Sequence, residues 1–248
     1  MLTSYDRERY DRQMIIQGFG REGQEKLKRA KVFIAGVGGL GCAVAIYLIA
    51  AGVGRIRIAD HGVVELSNLN RQILYWDDDI GKDKVDSAVE KLKQLNHQVE
   101  VEMVKGTIDE SSISKLVAGF DLIIDAMDNL PTRYLLNQAA LENNTPLFHG
   151  AVQGLEGRAM TVIPGQTACL RCVYHRKLPQ TKVPVLGATP AIIGSVQATE
   201  VIKYIVGIGK LLTNRLLVYN GLSMKFTEFR VKLDPDCEHC GQLAGGRS

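Results

Sequence analysis

The sequence carries no large excess of charge, no apolar leader, no internal repeat and no linker rich in Pro, Gly or Ser. Thirty Lys and Arg against 27 Asp and Glu leave a net +3 over 248 residues. That balance excludes the broad positive field of a nucleic-acid binder and makes any anion site a local feature. The first seven residues already contain Asp6 and Arg7, so no secretory signal and a cytoplasmic location are expected. The missing linker and repeats favour one continuous domain over residues 1–248. With 46% hydrophobic and 23% charged residues, the composition is that of an ordinary soluble globular chain, not a disordered or fibrous one.

Charge is also absent between residues 32 and 54, a stretch long enough to cross a bilayer. Gly36, Gly38, Gly39 and Gly41 interrupt its first third, which suits a strand, a tight turn and a buried helix better than a membrane span. Short runs rich in Val, Ile and Leu at 31–36, 55–60, 99–105, 121–125 and 146–150 read as strands. Segments 39–51, 82–96, 110–118 and 132–143 read as helices between them. This alternation predicts βαβ units: an α/β, Rossmann-like, mostly parallel sheet with helices on both faces. Past Gly150, segments 158–163, 216–220 and 225–231 predict an antiparallel extension. A helix near 190–206 places Ala191, Gly194, Ser195, Ala198, Val201, Ile202 and Ile205 on one face, as core or as a subunit interface.

Gly36-Val37-Gly38-Gly39-Leu40-Gly41 follows a predicted strand and opens a predicted helix, the context in which such a loop lets a backbone approach phosphate or ribose. Asp60 lies 19 residues past Gly41, at the end of the next strand, where a carboxylate can accept from ribose hydroxyls. Together they point to an adenine nucleotide; the alternative is a glycine turn serving close helix–sheet packing. Arg71, in Ser67-Asn68-Leu69-Asn70-Arg71-Gln72, and Lys84, at the next helix start, can converge on phosphates or stand as solvated surface charges. Asp128, in Asp125-Ala126-Met127-Asp128-Asn129, sits at the C-terminal edge of the sheet and suits Mg²⁺. It can otherwise cap the following helix, a place that Asn129 fits better.

Five cysteines without a signal peptide read as thiols or metal ligands. Cys169-Leu170-Arg171-Cys172 and Cys237-Glu238-His239-Cys240 are C-x-x-C pairs separated by 64 residues. Four thiolates close a tetrahedral Zn²⁺ site and leave no open position, which makes the zinc structural; the alternative is a redox dithiol. His175 and His239 read as surface neighbours. Cys42, on the apolar helix after the glycine loop, reads as a small buried hydrophobe.

Taken in order, Arg9-Tyr10-Asp11-Arg12-Gln13, residues 36–41, Asp60, residues 67–72, Lys84, residues 125–129 and both C-x-x-C pairs make the chain resemble the MoeB/ThiF/HesA family of sulfur-carrier adenylyltransferases. These are relatives of the ubiquitin-activating enzymes. The resemblance implies a homodimer that binds ATP and Mg²⁺ and activates the C-terminal glycine carboxylate of a ubiquitin-like carrier ending in Gly-Gly. It assigns ribose to Asp60, phosphates to Arg71 and Lys84, and Mg²⁺ to Asp128, with Asn68, Gln72 and Asn129 added to the nucleotide set. Arg12 would reach the phosphates from the partner subunit. Neither nucleic acid nor membrane is an expected partner.

Two departures qualify the resemblance. Gly62 stands where family members commonly carry an acid, and residues 173–188 lack the crossover-loop cysteine of thiol-using members. An activity that stops at the adenylate, with a separate sulfur donor, is therefore expected, while the carrier's pathway, molybdopterin, thiamine or another, stays open. An NAD- or FAD-dependent oxidoreductase would explain the glycine loop but leave Arg12, Arg71, Lys84 and the cysteines without roles. A non-catalytic relative would leave the phosphate and metal positions without a purpose.

Overall fold

The computed structural model describes residues 1–174 and 183–241. Three N-terminal helices, α1 (Ser4–Arg9), α2 (Asp11–Met14) and α3 (Gly20–Arg29), precede the first strand. An alternating series follows: β1 (Lys31–Ala35), α4 (Gly39–Ala51), β2 (Arg55–Asp60), α5 (Lys84–Leu95), β3 (Glu100–Lys105), α6 (Ile113–Val117), β4 (Leu122–Asp125), α7 (Leu130–Glu142) and β5 (Leu147–Gln153). The C-terminal part holds β6 (Glu156–Val162), α8 (Leu170–Val173), α9 (Ala188–Val206), β7 (Arg215–Asn220) and β8 (Lys225–Arg230).

All eight strands form one sheet in the order β3-β2-β1-β4-β5-β6-β7-β8. The first five are parallel and the last three are antiparallel additions, as the sequence pattern predicts. Alternate residues of a strand face opposite sides, so a parallel sheet buried on both faces needs apolar residues at every position. β1 shows this directly: Val32 and Ile34 join the core beneath α3, α4, α5 and α9, whereas Phe33 and Ala35 join the core beneath α6, α7 and α8. The uncharged stretch at 32–54 is thus a strand, a glycine turn and a 13-residue helix. Among the described residues no helix is long and apolar enough to cross a membrane.

Several boundaries move for local reasons. The helix predicted at 110–118 begins only at Ile113, because Asp109 Oδ1 accepts from the amides of Ser111 and Ser112 and holds a turn there. α7 starts earlier than predicted because Asn129 caps it, accepting from the Thr132 amide at 3.0 Å. The N-terminal helices, absent from the sequence reading, are tied down by polar contacts. Asp6, almost fully buried, takes the Lys28 ammonium at 2.6 Å, and Gln13 donates to the Ala51 carbonyl at 2.9 Å.

Within the chain, Gly194, Ala198 and Val201 of the small-residue face of α9 are core, while Ala191 and Ser195 are half-buried. Ala198 and Val201 are buried in the same cluster as α4, and Ile202 and Ile205 pack against it. Gly194 is where the two helices come closest, since a Cβ there would lie 2.8 Å from both Ala43 Cβ and the Leu40 carbonyl oxygen. Gly194→Val should therefore force α9 off α4 at a cost of about 1–3 kcal/mol. At about 2–4 °C per kcal/mol for a chain of this size, the melting temperature should drop measurably, while Ser195→Ala, one residue along, should stay near wild type. Equal melting temperatures for both variants would contradict this packing.

Candidate functional site

The sheet order reverses between β1 and β4, and in open α/β sheets ligands bind outside the strand C-termini at such a point. A cavity of about 1900 Å³ opens there. Its floor is the glycine loop. Gly36 has φ +87°, in the left-handed region, and a Cβ on it would press on the Ala126 carbonyl at 3.1 Å. At Gly38 a Cβ would meet only Gln72 Nε2 at 3.9 Å, so this glycine is kept open toward the cavity and not by packing. Gly38 also caps α4 without a side-chain hydrogen bond, which leaves the first amides of that helix free to bind an anion.

Val37 is gripped from two sides. Its amide donates to Asp60 Oδ2 at 2.9 Å, and its carbonyl accepts from the buried Tyr75 hydroxyl at 2.8 Å. Burial pushes the Tyr75 phenol far above its ordinary pKa, so it stays a donor. Asp60 Oδ1 accepts from the Gly62 amide at 2.7 Å. Asp60 therefore shapes the loop first, and each carboxylate oxygen keeps a lone pair for a ligand hydroxyl.

Around this floor the structure gathers Asp60, Arg71, Gln72, Lys84, Asp128 and Asn129. Arg71 is braced by the Ser67 carbonyl at 2.8 Å and Asn70 Oδ1 at 2.9 Å. Lys84 Nζ reaches to 3.2 Å from where a Cβ on Gly62 would be, so it occupies the side left clear by that glycine. Gln72 is only 4% exposed and its Oε1 has no partner, an orphaned acceptor beside the glycine loop.

Three expected residues lie elsewhere. Gly41 does not line the cavity; a Cβ on it would overlap the Gly36 carbonyl, so this glycine serves the helix–strand contact. Asn68 does not line it either, because its Oδ1 accepts from the Glu65 amide at 3.1 Å and closes the 65–68 turn. Asn129 lines the cavity, but its Oδ1 is committed to capping α7. Arg12 is exposed on α2, which is pinned at the C-terminal end of α4. The glycine loop is at the other end of that 13-residue helix, about 20 Å away at 1.5 Å per residue. An arginine side chain does not span that distance within one chain.

A second arm of the cavity extends past β5 and β6, where Arg158, Arg171, Tyr174, Glu238 and His239 line it. The sequence reading did not single out Arg133, Arg158 or Tyr174, or the fully buried His149 behind them. His149 Nδ1 lies 2.6 Å from Asp125 Oδ2, and its Nε2 lies 3.0 Å from the Tyr174 hydroxyl. Burial holds the His149 imidazole below its ordinary pKa, against the opposing pull of Asp125.

The four cysteines Cys169, Cys172, Cys237 and Cys240 are all buried, with their sulfurs within 4.8 Å of one another. Cys169 and Cys237 are 3.7 Å apart, and Cys172 and Cys240 are 3.4 Å apart. Four thiolates around Zn²⁺ at about 2.3 Å require sulfurs roughly 3.8 Å apart, so the cluster fits that ion. Asn137 braces it, accepting from the Leu170 amide at 2.9 Å and meeting His239 Nδ1 at 3.0 Å. His239 thus stands beside the cluster and not in it, and His175 lies outside the described residues. Cys42 is buried, its thiol pushed up to about 12 by desolvation.

The ThiF family model matches residues 10–239. The chain belongs to the ThiF family. It is 41% identical over 247 residues to the SAMP-activating enzyme E1 of Haloferax volcanii, covering 97% of this chain and 91% of that protein. The Thermus thermophilus sulfur carrier protein adenylyltransferase is 40% identical over 250 residues, covering 96% and 92%. Adenylyltransferase and sulfurtransferase MOCS3 of Drosophila persimilis is 39% identical over 246 residues, but the match spans only 54% of that protein. Among solved structures, E. coli MccB with ATP superposes with a TM-score of 0.83 at 26% identity, covering 97% of this chain and 76% of that one.

Two outcomes follow from this geometry. Protein purified without chelator should carry one zinc per chain, and Cys237→Ser should speed hydrogen exchange around 167–174 and 231–241 while leaving β1 and β4 protected. Metal-free protein would remove the zinc assignment. For His149, the folded pKa lies below the unfolded one, so the unfolded chain binds the proton first. Stability from this residue is complete above about pH 6.5 and falls as pH drops below it, by at most about 1.4 kcal/mol per unit. The groups facing it are Asp125, Arg133, Arg158 and Tyr174. Urea midpoints between pH 7.5 and 5.5 should fall less steeply in His149→Gln; identical slopes would contradict a buried neutral imidazole.

Proposed function

We propose that this chain is an ATP-dependent adenylyltransferase, acting as one adenylation unit, that activates the C-terminal glycine carboxylate of a ubiquitin-like sulfur carrier as an acyl-adenylate. The observation that carries this reading is the two-armed cavity. Single-ligand pockets run to about 300–1000 Å³, and this one, at about 1900 Å³, has room for a nucleotide and for an incoming chain end. Membership of the ThiF family and the names of the two relatives matched nearly end to end support the same chemistry.

In this reading the glycine loop and the α4 N-terminus cradle the nucleotide, and Asp60 accepts from its ribose. The orphaned Gln72 Oε1 supplies a further acceptor beside it. Arg71 and Lys84 meet the phosphates, the first through a planar fork and the second as a point charge. Asp128, exposed at the cavity edge, would hold Mg²⁺ through its carboxylate, and the ion would supply charge neutralisation on the triphosphate. A carboxylate oxygen of the carrier attacks the α-phosphorus, the new P–O bond forms, and the α–β bond breaks with pyrophosphate leaving. The nucleophile is already ionised, so the chain's task is to hold anions together, which is what this set of cations does. A hydride-transfer site would leave these charges idle.

Arg12, about 20 Å from its own glycine loop, acts in this reading from the second subunit of a homodimer. Sulfur comes from a separate donor, because Cys42 is sealed in the core and the other four thiols belong to the metal cluster.

The test is pyrophosphate exchange into ATP that depends on a carrier ending in Gly-Gly. Arg71→Ala and Asp128→Ala should each lower the exchange by at least about 10²-fold, the scale of one lost transition-state contact. Mixing Arg12→Ala with Asp128→Ala should restore part of it through hybrid dimers. Wild-type exchange in Arg71→Ala and Asp128→Ala would overturn the site, and no recovery from demonstrated hybrids would remove the exchange of Arg12 between subunits.

A further inference from the structure

Behind the second arm of the cavity runs a chain of polar side chains that phosphate binding does not use. Asp125 ends β4 and lies in register with His149 of β5, both fully buried. Tyr174 follows α8 and closes the line at the cavity wall. Its ring meets His149 edge-on, with centroids 5.5 Å apart at 72°, and its carbonyl accepts from the Tyr134 hydroxyl at 2.7 Å. The residue is therefore held at both its backbone and its ring.

The direction of the hydrogen bonds follows from the partners. Asp125 also accepts from the Met127 amide at 3.1 Å and has the Arg133 guanidinium 3.8 Å away, so it is an acceptor toward His149 Nδ1–H. A neutral imidazole protonated at Nδ1 has a bare Nε2. Tyr174 must then donate its only proton inward to His149, and its oxygen can present only lone pairs to the cavity. Arg133 and Arg158, the cations near the hydroxyl, are pure donors; Arg133 already donates to the Met127 and Gly150 carbonyls, and Arg158 takes one lone pair at most. One lone pair then remains for a ligand in the cavity, which the apolar Val152 and Val183 line along with polar residues.

A glycine tail has no side chains, so a channel can recognise it only by its backbone groups, and a desolvated N–H without an acceptor is costly. We propose that Tyr174, oriented by His149 and Asp125, is a specificity-determining residue whose phenolic oxygen accepts a hydrogen bond from a backbone N–H of the incoming carrier tail. The inference rests on the adenylation reading and adds to it the group that reads the tail.

The experiment uses carrier-dependent exchange with semisynthetic carriers in which one or the other of the two C-terminal peptide N–H groups is replaced by an ester oxygen. With wild-type enzyme, one of the two esters should raise KM for the carrier by about 5–10-fold, the scale of one net hydrogen bond, with kcat and KM for ATP within twofold. Tyr174→Phe should show that raised carrier KM with the native carrier and should be indifferent to the ester. Ester penalties under twofold at both bonds in wild type overturn the proposal, with no need for the variant to fold. Equal ester penalties in wild type and Tyr174→Phe overturn it as well, since a merely structural role would leave the two effects independent. Wild-type protein without any carrier-dependent exchange overturns the adenylation reading itself, and this inference with it.

Discussion

The structure depends on how closely α4 lies against β1. At Gly41 the helix backbone sits where a Cβ would overlap the Gly36 carbonyl at 2.0 Å, and at Gly194 α9 closes on α4 with a nearest approach of 2.8 Å. These contacts fix the axis of α4, and the axis decides where its free N-terminal amides point: into the crevice at which the sheet order reverses. Asp60 and Tyr75 then lock the turn itself by holding both polar groups of Val37. The backbone donors at the floor of the cavity are thus set by packing among the described residues.

What the sequence makes legible divides along a physical line. β1 and α4 are visible because burial on both faces demands an unbroken apolar run and glycine marks the turn, and β2 because Ile56 and Ile58 alternate with Arg55 and Arg57. The N-terminal helices are hard to read because they are mostly polar: α1 and α2 are held by single contacts such as Asp6 to Lys28, and α3 offers little more than Leu27, beside Phe19, to the core. Residues read from local context, Asp60, Arg71, Lys84 and Asp128, line one cavity. Asn68 and Gly41 share the same local context but are absorbed by a turn and a helix contact, a distinction made by distances that a sequence does not contain.

The line Asp125, His149 and Tyr174 shows the opposite case. Its members are separated by 24 and 25 residues, and only Asp125 falls in a stretch that the sequence marks out. They meet because β4 and β5 are register neighbours and because α8 carries Tyr174 back across the sheet edge. A buried histidine reads as core filler until the atoms on each side of it are known.

The cysteine cluster bears on the cavity as well as on the tail. Arg171 and Glu238, each inside one of the C-x-x-C pairs, form an ion pair and line the second arm together. The wall on that side is therefore assembled from two segments 64 residues apart in sequence. An ion held by the four thiolates acts as a crosslink on the unfolded chain, and closing a loop of that length removes chain entropy worth about 4 kcal/mol. Such an ion would therefore act together with the apolar residues packed around the cysteines, Leu170, Val173 and Leu233 among them, in tying the chain's C-terminal segment to that wall.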